Sequence, residues 1–168
     1  MFPIHLEVPI GWPGPRQYAR DEDLRLDGDF LSWSYCVRDG KYFAIRCRLP
    51  IQIAGGQPAA FMYTAWASFD RPDFEGYLET MKAGKLNNTS RTRARLVNRL
   101  SGFADTSNLM GTAFQQDDGG PPLLIIQGVQ AGLTEHPLVR EQRVGIGVDR
   151  VLDLFAAYSH DMRAGAAA

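Results

Sequence analysis

The stretch Phe61-Met62-Tyr63-Thr64-Ala65-Trp66-Ala67-Ser68-Phe69 (FMYTAWASF) carries no charge, no glycine and no proline. Its two alternating sets are Phe61, Tyr63, Ala65, Ala67, Phe69 and Met62, Thr64, Trp66, Ser68. Both are largely apolar, so both faces call for cover, and the stretch reads as an interior strand. It runs directly into DRPDFEGYLETMKAGK, which has the signals of a helix. Asp70 suits the N-cap, Pro72 is tolerated in the first turn, and Asp73 and Glu75 complement the positive end of the dipole. Phe74, Tyr77, Leu78 and Met81 supply a stripe at helical spacing. Gly76 costs about 1 kcal/mol against Ala inside a helix, so a close packing contact is expected there. Gly84, flanked by Lys82 and Lys85, marks the stop.

Upstream, Phe30–Val37, then Arg38-Asp39-Gly40-Lys41, then Tyr42–Leu49 reads as a β-hairpin. Asp-Gly is the two-residue signal for a turn whose central residues both need positive φ. Such a turn sets Val37 opposite Tyr42, Cys36 opposite Phe43, Ser34 opposite Ile45, Trp33 opposite Arg46 and Ser32 opposite Cys47. The two cysteines then share a face roughly 13 Å apart, too far for a disulfide. Each reads as a small buried hydrophobe. Leu31, Trp33, Tyr35, Val37, Tyr42, Ala44, Arg46 and Arg48 fall on the other face. Arg46 opposite Trp33 invites a cation–π contact. The arginines then either lay their stems over the aromatics or bind an anion on that face.

Residues 1–29 form an arm broken by Pro3, Pro9, Pro13 and Pro15. Its alternating Phe2, Ile4, Leu6, Val8, Ile10 and Trp12 fit a strand or strap on the domain's own sheet, or an arm exchanged with a second subunit. Its later carboxylates, Asp21, Glu22, Asp23, Asp27 and Asp29, read as a solvated loop. At 45% hydrophobic and 22% charged the 168-residue chain is an ordinary globular domain, with enough residues for a real core. A formal net charge of -1 gives no global pull towards nucleic acid or acidic lipid. No apolar run reaches the roughly 18 residues of a membrane helix, and MFPIHLEVPIGWPGPR lacks the regions of a secretory signal. With no cysteine pairing expected, the reducing cytoplasm is the expected compartment.

Downstream, Thr80–Ala104 holds Lys82, Lys85, Arg91, Arg93, Arg95 and Arg99 and no acidic residue. Asn87–Arg91 reads as a loop and Arg95–Leu100 as a strand, with the ungrouped cations on a solvated face that pairs with the acidic arm, or forming a surface for nucleic acid or an acidic partner. The segment has no aromatic interleaving before Phe103, which argues against nucleic acid. Strands are expected over about Asn108–Gln116 and Leu123–Gln127. The Asp117-Asp118-Gly119-Gly120-Pro121-Pro122 run between them is a hairpin turn rather than a pair of acid–base groups. Pro137 opens a short helix, Leu138–Arg143, stopped at Gly145. His136 then caps it as a neutral ring accepting a backbone N–H, or acts as a base or ligand helped by Arg140 or Arg143. No metal-ligand spacing occurs, and no cofactor is implied. The final amphipathic helix, Val148 to about Asp161, presents Val148, Val151, Leu152, Phe155 and Tyr158 inward and Asp149, Arg150 and Asp153 outward.

YFAIRCRLPI, WASFDRPDFEGYL, GFADTSNL and HPLVREQRVGI, in that order, resemble the bacterial domain-of-unknown-function family DUF2199 over roughly Tyr42–Phe155. Arg46, Trp66, Ser68, Phe74, Asp105, Thr106, Leu109, His136, Pro137, Leu138 and Gly145 match its pattern. Many members begin with Cys-x-x-Cys-Gly, which looks like half a zinc site. The arm of this chain has no cysteine, so no metal role carries over. The resemblance implies a bacterial, cytoplasmic α+β protein and brings no established activity.

The expected architecture is one α+β domain over residues 30–163, with a frayed tail at 164–168. A twisted, mostly antiparallel sheet of about five to seven strands carries two main helices. Exposed edges and the apolar arm are compatible with a homodimer. No catalytic motif is present, so the leading reading is a binding or regulatory module for a protein or small ligand, with neither nucleic acid nor membrane as its partner. The competing reading is a small-molecule enzyme with Arg46, Trp66 and His136 around one pocket and His136 as its acid–base group.

Overall fold

Two long strands, Tyr42–Ile53 (β4) and Ala59–Phe69 (β5), pair antiparallel without interruption from Phe43 opposite Phe69 to Ile53 opposite Ala59. The computed structural model describes residues 2–5, 12, 17–55, 59–85, 90–127 and 135–166. Within them lie six further strands: Phe2–His5 (β1), Phe30–Leu31 (β2), Tyr35–Arg38 (β3), Arg91–Leu96 (β6), Met110–Phe114 (β7) and Leu123–Ile126 (β8). The helices are Arg71–Lys82 (α1), Pro137–Val144 (α2) and Val148–Ala166 (α3). The protein is α+β, as expected from its run of strands with helices packed on them.

The sheet is not open. β4 to β8 run as an antiparallel meander, and β8 returns to β4 in parallel at Arg48 opposite Leu123. The Arg48 N–H donates to the Pro122 carbonyl at 2.8 Å to make that seam. These five strands close into a barrel, and β1, β2 and β3 flank it in an eight-stranded order. Closure removes edges that an open sheet would expose. β1, from the arm, adds in parallel to β5 at Phe61–Thr64.

Alternation decides what faces inward. Ile45, Cys47, Leu49 and Ile51 of β4, the odd positions of β5 from Phe61 onward, and Ala94, Leu96, Ala113, Leu124 and Ile126 form one interior cluster. Phe74, Tyr77 and Leu78 of α1, Leu138 and Val139 of α2, and Val151 and Leu154 of α3 join it. On the outer side, Leu31, Cys36, Ala44 and Trp66 form a second cluster under Trp12, Tyr18 and Val97.

Several local readings shift. Asp39 and Gly40 both have positive φ, as the turn demands. Yet Lys41 adds a residue to the loop, and the pairing becomes Arg38–Tyr42, Cys36–Ala44 and Tyr35–Ile45. A slip of one residue inverts the faces, so Cys36 lies in the outer cluster and Cys47 in the interior; both are free. The stretch before the turn is two strands, because the Ser32 N–H bonds the Tyr35 carbonyl at 2.8 Å and folds β2 back onto β3. In α3 the buried stripe is Val151, Leu154, Phe155 and Tyr158, while Val148 and Leu152 are 63% and 61% exposed. Arg150 turns inward instead, where it pairs with Glu141 at 2.9 Å and bonds the Gly102 carbonyl. Gly145 ends α2 as expected: its φ is 82°, and an added Cβ would sit 3.0 Å from the Gln52 carbonyl oxygen.

Gly76 makes no close contact. It is exposed, and an added Cβ would meet nothing within 4 Å. Gly76→Ala is therefore expected to stabilise the protein by about 1 kcal/mol, through helix propensity alone. Urea denaturation would register this as a higher midpoint at unchanged slope; a lower midpoint would contradict the open environment of that position.

Candidate functional site

β6 reads RTRARL, and its alternation puts Ala94 and Leu96 in the core and the Arg91, Arg93 and Arg95 side chains in solvent. The reading of ungrouped cations near a loop is thereby overturned: three of them form a row on one face of a strand. The expected loop residues 87–89 lie outside the described residues. Just past β6, Arg99 pairs with Asp105 at 3.5 Å. Across from β6, Arg38 at the end of β3 lies 4.8 Å from the centre of the Tyr42 ring.

These elements enclose a groove of about 340 Å³ on the outer face of the barrel. Arg38, Arg95 and Arg99 line it above a floor of Cys36, Ala44 and Val97, with Trp12 and Tyr42 among its walls. A more polar hollow of about 530 Å³ shares Tyr42, Phe43, Ser68 and Arg95 with the groove. It adds Lys41, Arg71 and Arg93, and the carboxylates Asp70 and Asp73. Arg71 is held by Glu75 at 2.9 Å. Arg95 touches the Met110 sulfur through Nε at 3.5 Å. Among the described residues no carboxylate pairs with Arg93 or Arg95. The groove thus combines cations with an apolar floor.

Arg46 and Trp66 do come together. The Arg46 guanidinium lies 4.9 Å from the Trp66 ring, 4.7 Å from Trp33 and 5.8 Å from Tyr18. Tyr18 and Trp33 stack at 4.7 Å. The contact with Trp33 survives the register slip because the Arg46 N–H bonds the neighbouring Ser34 carbonyl at 2.9 Å. Arg46 is only 7% exposed and Trp66 is fully buried. The box ties the arm's Tyr18 and the turn after β2 to the barrel wall.

His136 stands elsewhere. It is the N-cap of α2, and its Nδ1 accepts the Leu138 N–H at 3.1 Å. The ring proton therefore sits on Nε2, which is buried and bonds no described residue. α2 packs Leu138 and Val139 into the interior cluster, whereas Trp66 belongs to the outer one. No described ring contact, ion pair or hydrogen bond joins His136 to Arg46 or Trp66. Of its expected helpers, Arg143 pairs with Glu135 at 3.0 Å. Arg48 reaches Asp118 at 3.8 Å, within the Asp-Asp-Gly-Gly turn. The side chains of His5 and His160 lie outside the described residues. No group of three His, Cys, Asp or Glu among the described residues could hold a metal ion.

The GFADTSNL block is a clamp whose role the sequence reading did not identify. Asn98 Oδ1 accepts the Trp66 N–H at 2.6 Å. Fully buried Thr106 donates to the Asn98 carbonyl at 2.9 Å and accepts the Leu100 N–H at 2.8 Å. Asp105 accepts from the Ser107 hydroxyl and N–H, and these bonds hold its carboxyl below the ordinary carboxylate range, with the Arg99 charge adding to them. Asp-x-Ser, whose carboxylate bonds the backbone two residues on, was the available signal.

A closed five-stranded barrel with packed helices and an arginine-lined outer groove defines the protein as α+β. The chain belongs to the family described as uncharacterized protein conserved in bacteria, DUF2199, whose model matches residues 3–146. That match takes in the arm and stops short of α3, so it reaches further upstream than the four sequence blocks and ends with the last of them at Ile146. No curated protein and no solved structure matches the chain. Among the described residues no helix is long and apolar enough to cross a membrane.

Two predictions follow from the burial of Arg46 and Cys36. Arg46→Ala, which strips a desolvated cation from three rings, is expected to cost about 2–4 kcal/mol. Guanidinium titration with tryptophan emission reads it; a loss within experimental error would mean the box holds nothing. For Cys36, burial raises the thiol from 9.0 to about 12, against the opposing charge of Arg38. A folded value above the unfolded one gives stabilisation that is complete below about pH 9 and is lost as pH rises towards about 12. At pH 8 the folded thiol stays protonated, so a disulfide reagent should modify Cys36 slowly although it floors the groove, and a fast reaction in the folded protein would contradict the raised value.

Proposed function

We propose that the protein is a binding module that captures an anionic ligand in the groove between β3, β4 and β6. The observation that supports it most is Arg95, which bears on both hollows with no described carboxylate partner. An anion entering there gains charge-assisted bonds from Arg38, Arg95 and Arg99. The apolar floor and Tyr42, 59% exposed, suit a ligand with an apolar or aromatic body behind its anionic head. Arg46 and Trp66 serve this site from behind. They fix the wall on which the groove is built, and the ligand touches the exposed arginines instead. The free cysteines accord with a reducing cytoplasm as the place of action.

Phenyl phosphate, followed by chemical-shift changes of the backbone amides, is the first probe. Binding should move resonances of Arg38, Tyr42, Arg95 and Val97 and weaken with added salt. Arg95→Ala should weaken it about fivefold or more while leaving the melting temperature nearly unchanged, since the side chain is exposed. Binding that is insensitive to Arg95→Ala and Arg38→Ala, or shifts that map away from the groove, would sink the proposal.

A further inference from the structure

β5 pairs with β6 only at Ala67–Leu96 and Ser68–Arg95, and then turns away at Asp70 into α1. β6 continues back to Arg91, and among the described strands only β7 pairs with it there. The bonds fix which way its backbone points. Leu96 N–H and the Ser90 carbonyl bond Leu109 and Gln115 on the β7 side, whereas Val97 N–H bonds the Trp66 carbonyl on the β5 side. Since direction alternates along a strand, the N–H and C=O of Arg91 and Arg93 point to the side that β5 has left. No described residue bonds them there. The polar hollow of about 530 Å³ lies beside this edge, lined by the cations Lys41, Arg71, Arg93 and Arg95 and by the carboxylates Asp70 and Asp73.

Resting on the anion-binding reading above, we infer that the partner is an extended acidic peptide. It adds as a strand to the open Arg91–Ala94 edge of β6, antiparallel, in the line that β5 vacates after Phe69. Main-chain bonds supply affinity and alternate side chains supply specificity in this mode. Peptide residues on the outer face lie beside Arg91, Arg93 and Arg95, whose spacing of about 6.8 Å is that of alternate strand positions. They are therefore Asp or Glu at every second position. Those between them face Phe69 and Ala94, which favours small apolar residues. A second copy of this chain does not fit the edge, because pairing β6 with β6 sets two rows of arginines against each other. Nucleic acid offers phosphates but no peptide ladder for the Arg91 and Arg93 amides.

The test uses the full chain with the peptide acetyl-Glu-Val-Glu-Val-Glu-Val-Glu-amide, its Lys-for-Glu counterpart, a twelve-residue oligothymidylate and phenyl phosphate. The acidic peptide should bind, the lysine peptide should not, and binding should slow hydrogen exchange at the Arg91 and Arg93 amides. Arg93→Ala should weaken the peptide about fivefold. Arg93→Pro, which also removes the edge-facing N–H at a position where proline is tolerated, should weaken it further. Binding of phenyl phosphate or oligothymidylate without the peptide would overturn the strand-addition inference and leave the anion groove standing. So would peptide binding that leaves those two amides exchanging freely. Failure of every anion would overturn both.

Discussion

The antiparallel ladder between β4 and β5 is the constraint on which everything else depends. β5 has no charged residue, and all its side chains from Phe61 to Ala67 are buried. A strand that is apolar on both faces needs two covers. The barrel interior, completed by the helices, covers one. The other is covered by β2, β3 and the arm's aromatic residues, with Trp66 at the centre. The arm is thus bound into the domain twice, by β1 in the sheet and by Tyr18 in the aromatic box.

Local chemistry in the sequence determined what local chemistry can. The apolar run of β5, the Asp-Gly turn, the α1 stripe and the cap formed by His136 are all written in neighbouring residues. Barrel closure is not, because it depends on a single parallel contact between Arg48 and Leu123, far apart in the chain. The register slip has a similarly small cause. Asp39 and Gly40 specify the dihedrals of the turn but not whether Lys41 belongs to the loop or the strand. Since strand periodicity is two, one residue moved Cys36 to the opposite face from Cys47. The arginine row was legible in period, as Arg91, Arg93 and Arg95 alternate with Thr92, Ala94 and Leu96. Its basic composition outweighed that period. The groove itself unites β3, β4 and β6 and has no local signal at all.

The arginines divide into two physical kinds. Arg46 is buried, and the faces of Tyr18, Trp33 and Trp66 surround its guanidinium. A planar, weakly hydrated cation suits such a box far better than a lysine would. Its removal would empty the space between arm and barrel, so its role is cohesion. Arg93 and Arg95 are exposed and make no ion pair with a described carboxylate. Side chains of that kind add little to folding. Their clustering on a concave surface, rather than any contribution to stability, is what gives them meaning as a site.

An unpaired strand edge is ordinarily a hazard, and charged side chains are a common way to guard one. Arg91, Arg93 and Arg95 fit that role, and guarding alone would account for their presence. It would not account for the hollow beside them. A guarded edge needs only repulsion, and α1 could pack flush against β6 to cover the rest. Here β5 departs at Asp70 and leaves a space in which Lys41, Arg71, Arg93 and Arg95 outnumber the carboxylates Asp70 and Asp73. The same row that excludes a second β6 attracts a strand of opposite charge, so protection against self-association and selection of an acidic partner are one electrostatic property seen from two sides.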